Sequence, residues 1–340
     1  MFSNIKNLIN SYRETSTQNF KDITFACSFD PLHQIFFDTQ LKPLDVLAYI
    51  HKELNISKIR LSIRWDKDLD FYKPYLDYCL NNNIKVVLNV GPIKVMRWPE
   101  EHIHESYINL INKNDVIDLS HPIAKISLEY LEDLLKALKN TYSKCIITIQ
   151  TDNELFNKFG KYSLVITREY ELEVIKTVNK YFNLPIYINS SGLNDFKKIF
   201  DLVSNINNKV VLGINYYYKT KYQNRIPLIN KLDNLILRKP FSISPDKLKE
   251  IANQNDYAVE ISELQGEPWW PNALTPGNSF KEFKFTLGRS LYLKPKCQDK
   301  IVVRYWGIED FVSKFLLKSD NEENRKIKEL VIKIQSQSLN

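Results

Sequence analysis

The 340-residue chain carries 47 Lys and Arg against 40 Asp and Glu, a net charge of +7, with 44% hydrophobic and 12% aromatic residues. The length and apolar content suit one large core, and the basic residues are scattered rather than gathered into a stripe with interleaved aromatics. A nucleic-acid partner is therefore not expected, and since no run approaches ~18 uninterrupted apolar residues, an integral membrane segment is not expected either.

Along the chain, Phe2, Ile5, Leu8, Ile9 and Tyr12 recur at helical spacing. Residues 1–20 are thus expected to form an N-terminal helical extension closing one end of the fold, and they lack the continuous apolar core of a secretory signal. Short β-branched runs then alternate with amphipathic segments. Strands are predicted over 22–28, 57–63, 84–90, 145–150, 185–190, 209–215, 256–263 and 300–305. Helices are predicted near 43–55, 72–82, 122–141, 166–182, 193–205, 244–254, 280–292 and 308–337, the last broken at Ser319–Glu323. Pro43 suits a first helical turn, and Ser120 ahead of Pro122 and Ser244 ahead of Pro245 offer capping hydroxyls.

Eight strand–helix repeats predict parallel strands joined by right-handed crossovers and closed into a (β/α)8 TIM barrel. An open doubly wound sheet would want a glycine-rich phosphate loop after a strand, and the sequence has none. The expected organisation is a single domain: the N-terminal extension, a barrel over 21–318 and a C-terminal helix over 319–340. Two long connections, 91–121 and 216–243, follow strand C-termini, the barrel rim on which binding clefts are built.

Cys27, Cys79, Cys145 and Cys297 form no CxxC pair, and are read as buried free thiols of a reducing, cytoplasmic setting. His33, His51, His102, His104 and His121 fit no metal-ligand spacing, so neither metal nor organic cofactor is expected. Oligomeric state is not legible.

Chemistry is suggested by two strand ends. The fourth strand leads into Gln150-Thr151-Asp152-Asn153-Glu154, and the seventh ends at Glu263 and runs on through Leu264-Gln265-Gly266-Glu267. Carboxyls facing each other across a barrel rim can act as proton donor and nucleophile on a glycosidic bond. Side-chain alternation puts Val259, Ile261 and Glu263 on one face and sends Glu260 towards the helix layer and a lysine. Arg60, inside the second strand, needs a buried carboxylate and is the candidate partner of Glu263, with Arg64 as competitor or as partner of Asp66. All five tryptophans, Trp65, Trp98, Trp269, Trp270 and Trp306, fall at or beyond strand C-termini, where aromatic faces can meet sugar rings. His102 and Glu267 complete the candidate binding set.

Taken together, these motifs resemble those of the clan A retaining glycoside hydrolases, and more closely a group of cellulase-like barrel proteins. The residues concerned are Arg97-Trp98-Pro99-Glu100, Gln150-x-x-Asn153-Glu154 with Phe159-Gly160, Glu263-Leu264-Gln265-x-Glu267-Pro268-Trp269, and Trp306-Gly307-x-Glu309. The resemblance spans roughly Phe25 to Phe315. It implies Glu154 as acid/base, Glu263 as nucleophile, Asn153 at the sugar 2-hydroxyl, Arg60 as inner support and Tyr217 beside the nucleophile. Tyr218 stands where an arginine is expected, and Glu101-His102-Ile103-His104 lacks a further expected tryptophan. The activity implied is hydrolysis of O-glycosidic bonds, of β configuration, with retention. A non-catalytic carbohydrate-binding barrel and a transglycosylase are the alternatives.

Overall fold

A computed structural model describes residues 20–191, 193, 195–216, 243–267, 277 and 279–338. Eight parallel strands close into a barrel: β1 (Ile23–Phe29), β2 (Lys58–Ser62), β3 (Lys85–Asn89), β4 (Ile146–Gln150), β5 (Ile186–Ser191), β6 (Val210–Tyr216), β7 (Ala258–Gln265) and β8 (Ile301–Trp306). Each pairs in parallel with the next, and β1 closes the ring on β8 with Ile23 opposite Ile301.

Among the described residues the surrounding helices are α1 (Gln34–Thr39), α2 (Pro43–Leu54), α3 (Leu69–Asn81), α4 (Pro122–Tyr142), α5 (Arg168–Tyr181), α6 (Phe196–Val203), α7 (Pro245–Asn255), α8 (Phe280–Tyr292), α9 (Ile308–Leu316) and α10 (Glu322–Ser338). Their amphipathic faces cover the outward side chains of the strands, such as Ile59, Leu61, Val86, Leu88, Val259 and Ile261, in one continuous apolar layer. Pro245 opens α7 under a Ser244 cap, as the sequence indicates, but at α4 the capping acceptor is His121 rather than Ser120. The short α1, a 3-10 turn at Glu105–Leu110 and a two-stranded pairing of Val116–Ile117 with Val165–Ile166 have no counterpart in the sequence expectation. The expected N-terminal helix lies outside the described residues, apart from a 3-10 turn at Phe20–Asp22. Cys27, Cys79 and Cys145 are buried free thiols, whereas Cys297 is exposed.

Inside the barrel, a small apolar plug brings Val87 of β3 against Tyr187 and Val211 of the adjacent strands β5 and β6, so that it spans strands that are not all neighbours in the sheet. Beside it Glu260 of β7 bonds Arg304 of β8 at 2.5 Å and Lys58 of β2 at 3.2 Å. Strands β2 and β7 are not adjacent, so the Lys58–Glu260 bond crosses the barrel interior. Glu260 therefore points inward, not into the helix layer. The reason is a β-bulge: Ile214 pairs with Ile261 but Asn215 with Glu263, leaving Ser262 as an extra residue. Strict alternation fails at that residue, and Glu260 and Glu263 both reach the interior.

Among the described residues, no helix is long and apolar enough to cross a membrane.

Candidate active site

Arg60 organises the mouth of the barrel. Fully buried on β2, it donates from Nε to Gln150 at 2.6 Å, from Nη1 to Glu263 at 2.8 Å and from Nη2 to Asn153 at 2.6 Å. Three strands are thereby tied to one planar cation, and the cost of burying a guanidinium is met by a carboxylate and two amide oxygens. Arg64, the competing candidate, instead grips Asp66 through two bonds of 2.9 and 2.7 Å.

Around this centre lies a lattice of amides. Asn189 of β5 donates to Asn153 at 2.9 Å and to Asn215 at 3.2 Å, and its own oxygen accepts from Gln150 at 2.9 Å and from the backbone N–H of Glu154 at 3.0 Å. Asn215, opposite Glu263 in the β6–β7 pairing, donates to the Glu154 carboxylate, while its oxygen accepts from Ser262. Asn89 holds the backbone of Thr151 at 2.5 Å and accepts from Ser62 and Met96. Asn89, Asn189 and Asn215 were not singled out from the sequence. A signal was present: each is an amide near the end of an otherwise apolar strand, where burial demands partners.

Glu154 sits just past β4 in a left-handed conformation (φ 44°) and is 4% exposed. Burial first, and then the charge of Glu263, raise its pKa to about 7, against hydrogen bonds from Asn157 and Asn215 that favour the ionised form. Asn157 donates to it at 2.9 Å, and Asn157 is in turn held through its carbonyl by the buried ammonium of Lys94. Glu263, 2% exposed, is paired with Arg60. One carboxyl thus carries a proton near neutrality, and the other is held beside a cation.

Residues 94–101 form a tight hairpin, with Lys94 bridged to Glu101 and Val95 bonded to Glu100 at 3.0 Å. Asp152 anchors it by accepting the backbone N–H groups of Ile93 and Lys94. Arg97 and Glu100 both adopt positive φ there, 85° and 62°, a conformation that costs energy for residues with a Cβ and clusters at functional sites. The turn lays the Arg97 guanidinium 4.2 Å over the Trp306 ring and ties it to Glu267 and, at 2.8 Å, to Glu309. Glu267 also meets His33 at 2.9 Å, and although burial opposes it, Arg97 and His33 hold its pKa down to about 2. Gly307, at φ 84°, is required here, because a Cβ would come within 2.5 Å of Glu267.

The sequence-selected aromatics divide. Trp98 projects from the hairpin and is 71% exposed. Phe159, 52% exposed, lies on the loop after β4, which meets the hairpin through a Lys161 N–H bond to Pro99. Trp306 is buried, with one face occupied by Arg97. Trp65 belongs to the core: it is 6% exposed and stacks 5.3 Å from Tyr130 of α4 and 5.6 Å from Tyr107, so its ring faces are filled by protein. His102 is buried with Nδ1 3.7 Å from Asp66, outside the Arg60 lattice. Tyr217, Trp269 and Trp270 lie outside the described residues. Among the described residues, no group of three or more His, Cys, Asp or Glu side chains is arranged to hold a metal ion.

Comparison with protein-family profiles and with curated sequences finds no match. Solved structures do match. A tri-modular GH5 (subfamily 4) endo-β-1,4-glucanase from Bacillus licheniformis in complex with cellotetraose aligns with TM-score 0.52 and 11% identity, over 94% of this chain. The chain spans 60% of that protein's length. A mutant β-glucosidase derived from a hyperthermophilic tetrameric structure aligns with TM-score 0.50 and 11% identity, over 94% of this chain and 95% of its own. At such identity the likeness establishes the barrel fold.

Proposed function

We propose that the chain is a glycoside hydrolase that cleaves O-glycosidic bonds, of β configuration, in an oligo- or polysaccharide by retaining double displacement. One observation carries the reading: Glu154 with its pKa at about 7 and Arg60-bound Glu263 share a single hydrogen-bonded lattice at the mouth of the barrel. Acid and nucleophile need opposite protonation states at one pH: burial and the Glu263 charge raise Glu154, while Glu263 lies against the Arg60 guanidinium. The described specificities of the endo-β-1,4-glucanase and the β-glucosidase support a β-linked substrate.

In this reading Glu154 gives its proton to the glycosidic oxygen while Glu263 attacks the anomeric carbon, and the C–O bond breaks to release an alcohol. Glu154, now a carboxylate, takes a proton from water. The resulting hydroxide attacks the same carbon, and Glu263 leaves with its electron pair restored. Asn153 is held by Arg60 and Asn189 through its oxygen, which leaves its amide to offer a hydrogen to the substrate's 2-hydroxyl beside Glu100. Trp98 offers an open aromatic face for a sugar ring.

The test is turnover of a panel of p-nitrophenyl β-glycosides of glucose, galactose, mannose and xylose, and of β-glucan and xylan. Release of product with the configuration retained supports the reading. Binding to these sugars without turnover by freshly purified protein would point instead to a non-catalytic carbohydrate-binding barrel.

A further inference from the structure

A third glutamate enters the same lattice. Glu100 closes the 94–101 hairpin, its N–H donating to Arg97 at 2.7 Å and its carbonyl accepting from Val95 at 3.0 Å. The backbone N–H of Asn153 donates to the Lys94 carbonyl at 2.9 Å, which lays this hairpin beside the Asn153-Glu154 strand end. There burial, and then the charge of Glu154, push the Glu100 carboxyl well above the ordinary carboxylate range, against the pull of Lys94 and of a hydrogen bond with the Asn153 amide. Its Oε2 is buried and meets no hydrogen-bond partner among the described residues. Glu267 and Glu309, the acids that meet Arg97, are instead satisfied by Arg97, His33 and backbone N–H.

A buried carboxyl oxygen left without a donor is costly, and native proteins keep such groups where a ligand or water will satisfy them. Here the available donor follows from the reaction. Glu154 and Glu263 must flank the anomeric carbon, and the sugar hydroxyl nearest that carbon is the one on its neighbour, the 2-hydroxyl. Asn153 has an amide hydrogen to offer that oxygen, and Glu100 has an oxygen to receive its proton. We infer that Glu100 is a substrate-binding residue that accepts the 2-hydroxyl proton of the sugar held between Glu154 and Glu263, so that the hydroxyl bridges Asn153 and Glu100. The site would then select glycons with a free 2-hydroxyl, and reject those substituted or deoxygenated there. This inference rests on the glycosidase reading above.

The experiment compares Glu100→Gln and Glu100→Asn with the parent on the best p-nitrophenyl glycoside of the panel and on its 2-deoxy counterpart. Asn tolerates the left-handed backbone and withdraws the side chain by one methylene, so at least one variant is expected to fold, as thermal melting will show. Each variant should lose about tenfold or more in kcat/KM on the parent glycoside. On the 2-deoxy glycoside the loss should shrink to about twofold or less, because the group that Glu100 receives is already gone. An equal loss on both substrates would make Glu100 a support of the hairpin, and no loss on either would remove it from the site; both overturn the inference. Glu154→Ala and Glu263→Gly run in parallel separate the two levels. If Glu263→Gly abolishes turnover and Glu154→Ala slows it while Glu100 variants behave like the parent, the hydrolase reading stands and only this inference falls.

Discussion

Among the described residues, two arginines, Arg60 and Arg304, lie fully buried inside this barrel, and each faces a glutamate of β7. Arg60 meets Glu263 and Arg304 meets Glu260, three residues earlier. In burial and charge the pairs are alike, and an inspection for buried ion pairs would rank them together. Their surroundings differ. Around Arg304 are the ring of Tyr187, 5.6 Å from its guanidinium carbon, and Lys58 across the barrel. That pair closes the interior. Around Arg60 are Gln150, Asn153 and, through Asn189 and Asn215, the second carboxyl Glu154. A buried ion pair is weak evidence of function by itself. What distinguishes the Arg60 pair is a neighbouring acid, Glu154, whose pKa is raised to about 7.

The sharpest way to break the comparison is to remove each glutamate. Glu263→Gly should lower kcat by at least about 10^4-fold, and Glu154→Ala by about 10^2–10^4-fold on substrates that need leaving-group protonation. Glu260→Gln should instead cost about 3–5 kcal/mol of stability by leaving Arg304 uncompensated, with kcat/KM of the folded enzyme preserved. Urea unfolding and steady-state kinetics on the same preparations check both. Loss of turnover in Glu260→Gln without loss of stability would erase the distinction.

The tryptophans repeat the contrast at lower stakes. Trp65→Ala should cost about 3–5 kcal/mol, as for a core aromatic. Trp98→Ala should leave the melting temperature nearly unchanged and raise KM on oligosaccharides.

Protonation of Glu154 sharpens the same account. The acid works in its protonated form, which is populated below its pKa, so kcat/KM should fall as pH rises through about 7. Asn215 donates to the Glu154 carboxylate and so favours its ionised form. Asn215→Ala should therefore move this basic limb to higher pH, a shift of about one unit or less. A downward shift would show that the amide acts otherwise.

Much of this was legible in the chain. Eight short β-branched runs mark strands that lie within two residues of the observed ones, because helices cover each strand outside and the ring closes inside. The strand-end pair Asn153-Glu154 and Glu263 was legible for the same reason, since strand ends are where a barrel exposes chemistry. Glu260 was misread because a bulge at Ser262 adds one residue, and alternation offers no warning of it. Trp65 follows its strand like the other tryptophans, yet it turns outward to Tyr130, a contact 65 residues further along the chain. Glu100 was legible only as part of a motif. Its place beside Asn153 depends on two left-handed residues in the hairpin, whose backbone no periodicity encodes.

The central claim, that Glu263 is the nucleophile and Glu154 the acid/base, is tested most directly by azide rescue followed by NMR of the product's anomeric carbon. Glu263→Gly leaves space for azide, and a single displacement assisted by Glu154 should give the glycosyl azide of inverted configuration. Glu154→Ala still forms the glycosyl-enzyme with a good leaving group, and azide should then give the retained product. The same configuration from both variants, or turnover that persists without azide in Glu263→Gly, would contradict the assignment.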